Sequence, residues 1–195
     1  MTETAAPQIA VKPPSAEGIA AAVAKAGAKG PPPVHLWDPP FCGDLDIEIR
    51  RDGTWFYLGT PIGREALVRL FASVLKLEDG RFYLVTPVEK VGIRVQDAPF
   101  LAVDCTAEAG DLRFVTNVGD EVVAGPDHPI RVEIAADGEP RPYLHVRRGL
   151  EARIDRKTFY RLVDLAAPGP HAGEDWLGLT SGGVFFPIQR MAEIS

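Results

Sequence analysis

The sequence holds only two cysteines in 195 residues, Cys42 and Cys105. Neither falls in a C-x-x-C or Cys/His spacing, so a zinc site and a redox dithiol are not indicated and buried reduced thiols are expected. Positive charge is also short: 21 Lys and Arg stand against 27 Asp and Glu, a net charge of −6. A general nucleic-acid or anionic-membrane binder works through Lys and Arg that displace counterions, and this balance argues against both. No apolar run approaches the ~20 residues that span a bilayer, and the first residues lack the basic and apolar regions of a signal peptide. The expected location is the cytoplasm, with no membrane span. The G-x-x-x-x-G-K-[ST], H-E-x-x-H and G-x-G-x-x-G signatures are missing too. No catalytic residue is identified, no cofactor is expected, and whether the chain is an enzyme stays open.

What is present is a chain with 46% hydrophobic residues, enough to bury a core without staples. Residues 1–14 are small, polar and Pro-containing and read as a flexible leader. Ser15 to Ala28 reads as an Ala-rich helix capped by Ser15, with Glu17 in its first turn and Gly30-Pro31-Pro32-Pro33 as its stop. Val34 to Asp44 carries too many prolines for a sheet centre and is expected to be a packed loop. From Leu45, apolar Leu45, Ile47 and Ile49 alternate with Asp46 and Glu48, the pattern of a half-buried strand. Asp52-Gly53 offers two positive-φ positions for a hairpin into Thr54 to Leu58. Thr60 and Pro61 are expected to start a helix that runs to about Lys76 on Leu67, Leu70, Phe71 and Val74, with Asp79-Gly80 as its stop. RFYLV and EKVGIRV read as strands separated by Thr86-Pro87.

The second half is richer in short strands: Phe100 to Ala107, Leu112 to Thr116, Glu121 to Ala124, Ile130 to Ile134 and Tyr143 to Arg147. Their spacing predicts a curved sheet or small barrel. A helix capped by Asp155 follows, with Phe159, Leu162, Val163 and Ala166 on its apolar face. A hairpin of Trp176 to Thr180 and Val184 to Pro187 closes the chain. The expected class is α+β, with domains at 15–95 and 96–195.

An internal repeat organises this list. IGREALVRLF from Ile62 aligns with IDRKTFYRLV from Ile154, matching Ile62 with Ile154, Arg64 with Arg156, Arg69 with Arg161 and Leu70 with Leu162. Upstream, IEIRR at Ile47 resembles LHVRR at Leu144; downstream, FYLVT at Phe82 resembles WLGLT at Trp176. The predicted unit is therefore strand-hairpin, helix, strand-hairpin, present twice. The repeat duplicates arginines, and the window Arg141 to Arg161 holds seven Lys and Arg against Glu151 and Asp155, locally +5 in an acidic protein. Guanidinium groups suit bidentate contacts to phosphate or carboxylate. The alternative is ordinary helix-surface pairing with Glu65, Glu151 and Asp155. Arg64 and Arg156, near helix starts where positive side chains are otherwise misplaced, stand out as anion ligands. Thr86, Glu89 and Lys90 form a polar insertion that reads as a ligand-facing loop or an ordinary turn. Asp44, Asp46 and Glu48 read as a solvated strand face, or else as oxygen ligands of a divalent metal.

Four segments, VHLWDPPFCGDLDIEI, DGTWFYLGTPIGREALVRLF, YLVTPVEKVGIRVQDAPF and RPYLHVRRGLEARIDRKTFY, resemble domain-of-unknown-function family 1285, over about residues 30 to 190. The resemblance implies an internally duplicated α+β fold whose C-terminal part is similar to a pleckstrin-homology-like barrel capped by a helix. It also implies a link to signal transduction and a nucleotide-type ligand between the two domains. Carried onto this sequence, it places that ligand near Trp37, Asp44, Trp55, Arg64, Thr86, Glu89 and Lys90 of the first unit and Arg147 and Arg153 of the second, with aromatic rings to stack on a base. Core packing competes for both tryptophans. The expected function is thus a regulatory module that binds a small anionic ligand. Two other readings stand beside it: a metal-assisted hydrolase using Asp44, Asp46 and Glu48, and a protein-interaction module without a small ligand.

Overall fold

A computed structural model describes residues 13–25 and 32–194. Most of the expected leader, residues 26–28 of the expected first helix and the Gly30-Pro31 stop lie outside the described residues. Helix α1 (Ala16–Lys25) starts as the sequence indicates, with the Ser15 hydroxyl accepting from the Gly18 N–H at 3.1 Å. It buries Ala16, Ile19 and Val23 and packs on the second helix.

The strands come in five antiparallel three-stranded meanders. The first is β1 (Phe41–Ile49), β2 (Trp55–Tyr57) and β3 (Thr60–Pro61); helix α2 (Glu65–Ser73) leads from it to the second, β4 (Leu75–Glu78), β5 (Arg81–Val85) and β6 (Lys90–Val95). Parallel pairing of β1 with β6 joins the two into one sheet of order β3-β2-β1-β6-β5-β4. The third meander, β7 (Phe100–Glu108), β8 (Asp111–Thr116) and β9 (Glu121–Val123), and the fourth, β10 (Ile130–Ile134), β11 (Pro140–Arg147) and β12 (Leu150–Ile154), repeat that arrangement through a parallel β7–β12 pair, giving β10-β11-β12-β7-β8-β9. After helix α3 (Arg156–Val163) the fifth meander is β13 (Ala167–His171), β14 (Glu174–Ser181) and β15 (Val184–Arg190). It lies against the second sheet, β15 on β10 and β14 on β8. The protein is thus a mixed α/β molecule with two six-stranded sheets of the same strand order, the second curled, and few helices. Of the pleckstrin-homology-like barrel, the structure shows a curled sheet with a helix packed on β7.

Helices α2 and α3 each join two meanders; β1 pairs with β6 around α2, whereas β10 only packs against β15 around α3. Counted from the helices, the repeat is matched in meander-helix-meander order alone, because in the two like-ordered sheets α2 falls between β3 and β4 while α3 follows β12. FYLVT and WLGLT land on the equivalent middle strands β5 and β14, but IEIRR lies in the first strand of its set and LHVRR in the second strand, β11, of its own. That upstream match is corrected: the two arginine pairs follow strands that hold different places in their sets.

Four local expectations are also corrected. Strand β1 begins at Phe41, inside the expected loop, because the pairing with β6 bulges around Gly43 (φ 101°) and hides the period-two pattern there. In the hairpin after β1 only Gly53 has positive φ (80°), since the Arg50 and Thr54 backbone groups close a longer turn. Thr60-Pro61 is an edge strand paired with Phe56 and Tyr57, a place where proline is tolerated, so α2 begins only at Glu65. It also ends early: Leu75 to Glu78 pairs with β5, and Asp79-Gly80, both with positive φ, makes that hairpin's tight turn. Two strands escaped the sequence reading. LEARI of β12 alternates as a strand should, while Pro168 and Pro170 disguise β13.

One hydrophobic cluster runs through the whole molecule, from Ile19 and Val23 of α1 through Ile47, Trp55 and Phe71 to Phe100, Phe114, Leu144 and Leu162.

Candidate functional site

The aligned helices begin differently. In α3, Asp155 has an extended backbone and its carboxylate accepts from the Thr158 N–H at 2.7 Å, satisfying one of the first-turn donors. Arg156 lies against Tyr160, donating from Nε to the hydroxyl at 2.9 Å with its guanidinium 5.5 Å from the ring centre. Arg161 reaches Asp104 of β7 at 2.5 Å, and the guanidinium together with the Cys105 N–H holds the Asp104 carboxyl below its usual pKa.

In α2 the residue aligned with Asp155 is Gly63, which has no side chain to offer. The helix starts one position later, with Arg64 extended at its N-terminal boundary and no side chain capping the first N–H groups. Arg69, aligned with Arg161, turns back to Glu65 of its own helix at 3.8 Å. Arg64 is exposed, and among the described residues no carboxylate pairs with it. Beside it opens a cavity of about 470 Å³ between α1, the β2–β3 turn and the start of α2. Ala16, Ala20, Ile62 and Leu67 supply its apolar wall; Arg64, Thr60, Tyr57 and Glu17 supply the polar groups. A volume of this size suits a small molecule. Uncapped helix N–H groups beside a guanidinium favour an anion. Glu17 on the facing helix suits a hydroxyl or amino donor elsewhere on the same ligand.

The remaining sequence candidates lie in other places. Trp37, Asp44, Thr86, Glu89 and Lys90 share one end of the first sheet. Trp37 packs on the core and its carbonyl accepts from Lys76 at 3.3 Å. Thr86 is wholly buried and organises its own turn, its hydroxyl accepting from the Glu89 N–H at 3.1 Å. Lys90 is bound to Glu78 at 2.7 Å, and Lys76 also reaches Glu78, at 2.6 Å; the two ammonium groups hold the Glu78 carboxyl below its usual pKa. Trp55 is 1% exposed and stacked on Phe71 at 6.3 Å, a core position, and its indole N–H has no acceptor among the described residues.

Arg147 and Arg153 lie where the two six-stranded sheets meet. Arg147 pairs with Asp120 at 2.5 Å, covers the Phe100 ring at 4.8 Å and donates to the Ala72 carbonyl at the C-terminal end of α2. Arg153 pairs with Asp97 at 2.8 Å, and Asp97 also accepts from the Tyr143 hydroxyl at 2.8 Å. Both guanidinium groups are neutralised within the fold, where they tie the sheets together. Asp97, Tyr57 and Glu17 were not picked out from sequence. For the α2 cavity the readable signal was Gly63 standing opposite Asp155 in the repeat.

The three carboxylates of β1 do not converge. Asp44 meets Arg81, Asp46 meets Arg94 at 2.6 Å, and Glu48 accepts from Gln96 at 3.0 Å. Among the described residues no group of three His, Cys, Asp or Glu side chains is placed to hold a metal ion. No described helix is long and apolar enough to cross a membrane.

Comparison with known proteins agrees with the layout of the sheets. The model described as "Domain of unknown function (DUF1285), N-terminal domain" matches residues 32–98, and that described as "Protein of unknown function (DUF1285), C-terminal domain" matches 99–188. The chain belongs to the DUF1285 family. A DUF1285 family protein from Silicibacter pomeroyi DSS-3 has a solved structure that is 59% identical to this one, with a TM-score of 0.81, covering 91% of this chain and 97% of that chain. A second, from Shewanella baltica OS155, is 33% identical over 62% of this chain and 91% of that chain, with a TM-score of 0.51. No curated protein matches the chain. The two DUF1285 models meet between β6 and β7, where the first six-stranded sheet gives way to the second.

Proposed function

We propose that this DUF1285 protein is a ligand-binding regulatory module that takes a small anionic ligand, nucleotide-type ligands included, in the cavity at the start of α2. The observation that carries the reading is the difference between the two helix starts: Asp155 caps α3, whereas α2 opens uncapped onto a cavity of about 470 Å³ beside Arg64. A phosphate or carboxylate there would accept from the first N–H groups of α2 and from Arg64, and the Ala16, Ala20, Ile62 and Leu67 wall would take an apolar or aromatic body. The junction of the two sheets is a weaker place for the anion, because Arg147 and Arg153 already hold aspartates.

Ligand in this cavity would bridge α1 to the rest of the first unit. Occupancy would then bias how α1 sits, which is what a regulatory module requires. The test is thermal unfolding of the protein against phosphate, nucleotides and phosphorylated metabolites, since a ligand that binds the folded state raises Tm. A rise that vanishes in Arg64→Gln is the expected result. A rise that persists in Arg64→Gln removes the assignment, and so does a panel with no rise at millimolar ligand.

A further inference from the structure

A second cavity, remote from Arg64, lies on the C-terminal half. It is a groove of about 620 Å³ with α3 on one side, the β10–β11 hairpin on the other and β14 and β15 beneath. Its lining is mostly apolar or aromatic: Val163 and Phe159 from α3, Ile134 and Pro140 from the hairpin, Trp176 and Ile188 from the floor. Ile134 and Tyr160 are 60% and 55% exposed at its rim. A smaller recess of about 160 Å³ continues it, sharing Pro140, Phe159 and Tyr160 and adding Arg153 and Arg156. The two together form a long apolar trough with a polar recess at one end.

The charges in that recess are specific. Arg153 is held by Asp97, and at the far end Arg190 is held by Glu174 at 3.2 Å. Arg156 is bound to the Tyr160 hydroxyl, with no carboxylate at ion-pair distance among the described residues. Glu139 lines the same recess, close enough to act on Arg156 without forming an ion pair, and Glu193 lines the far end, so the trough offers one guanidinium outside an ion pair rather than a basic field. That suits a monoanion and disfavours a polyphosphate. A peptide is also disfavoured, because Pro140 and Pro142 bring no N–H to the wall and the Gly138 N–H is spent on the Ala135 carbonyl.

We propose that this trough binds a long-chain carboxylate, with its alkyl chain along Val163, Trp176 and Ile188 and its head group on Arg156. Trp176 reports occupancy directly, since it lines the trough. The experiment titrates the full-length protein with octanoate, decanoate and dodecanoate below their micellar concentrations, reading Trp emission against a Trp176→Phe control and confirming by calorimetry. Each two-carbon step within the trough should tighten binding about 16-fold, from about fourfold per buried methylene. Dodecanol and dodecylamine should bind at least about tenfold more weakly than dodecanoate, as should dodecanoate to Arg156→Gln, the size of a lost charge-assisted hydrogen bond. Ile134→Asp, an exposed position that leaves the core intact, should weaken all chain lengths. Equal binding of the alcohol or the amine, or undiminished binding to Arg156→Gln, overturns the head-group assignment. Absence of saturable binding, no dependence on chain length, or indifference to Ile134→Asp overturns the site. Since Arg64 plays no part, the outcome is independent of the fate of the α2 cavity.

Discussion

α2 and α3 hold aligned arginines and sit at the same place between two meanders, yet they are anchored differently. α3 is capped by Asp155, tied to β7 through Arg161–Asp104, and buries Thr158, Phe159 and Leu162. α2 has no side-chain cap, turns Arg69 onto Glu65 within its own helix, and buries only Phe71 and Ala72, near its C-terminal end. Its first turn is therefore held mainly by α1 and the β2–β3 turn around an open cavity. The aligned arginines therefore meet different partners in the two helices: a capped first turn and a tether to β7 in α3, neither of them in α2. A group left unsatisfied where its counterpart is satisfied is a stronger pointer to a ligand than a charged residue judged alone.

The largest difference expected between the two helices lies in the core. Leu162 is 1% exposed, whereas the aligned Leu70 is only half-buried. Leu162→Ala should lower stability by about 2–5 kcal/mol and Leu70→Ala by roughly 1 kcal/mol, because the first leaves a closed cavity and the second a site water can reach. Urea unfolding at unchanged m reads both values. Equal losses would mean that α2 is anchored along its whole length after all.

Next in size are the caps. Asp155→Ala removes the acceptor for the Thr158 N–H and should cost about 1 kcal/mol. The reverse experiment is the more informative. Arg64 holds at α2 the boundary position that Asp155 holds at α3, with a similarly extended backbone, so Arg64→Asp would copy the α3 cap onto α2. It should raise stability by about 0.5–2 kcal/mol through the cap. The introduced carboxylate should also take over the N–H groups assigned to the ligand and abolish the thermal shift by phosphate compounds. A variant that is stabilised and still shifted would separate the ligand from the helix start.

Much of this contrast was legible in the sequence. The helix-centred repeat, the Asp155 cap, the strand-rich second half and the pairing of Glu65 all show in one-dimensional patterns. The register of the upstream repeat did not, since Arg50-Arg51 and Arg147-Arg148 both follow strands without being equivalent. The length of α2 was also hidden, because Leu67, Leu70, Phe71 and Val74 keep helical spacing into residues that tertiary pairing with β5 claims as strand. For the site, Arg64 was visible as a misplaced cation at a helix start. Glu17 and Tyr57 come from elements distant in sequence that only packing brings together. The pairing of Arg147 and Arg153 with Asp120 and Asp97 was equally invisible, because those partners lie 27 and 56 residues away.

The smallest expected effect concerns the tethers. The Asp104 carboxyl is held below the usual aspartate range, chiefly by Arg161, so its contribution to stability is fully present above the ordinary aspartate pKa. The contribution is lost as pH falls through the depressed folded-state value, where the carboxylate is protonated and the bridge from α3 to β7 opens. Both side chains are about half exposed, so the effect is small and weakened by salt. Asp104→Asn should therefore flatten the acid limb of the pH–stability curve below about pH 5 and leave the neutral limb nearly parallel to that of the parent. Glu65→Gln on α2 removes a pair that spans 3.8 Å within one helix and should cost less at neutral pH than Asp104→Asn, as read by urea unfolding. If the two substitutions cost the same, α3 is no more tightly tethered than α2, and the difference between the helices reduces to their caps and their buried leucines.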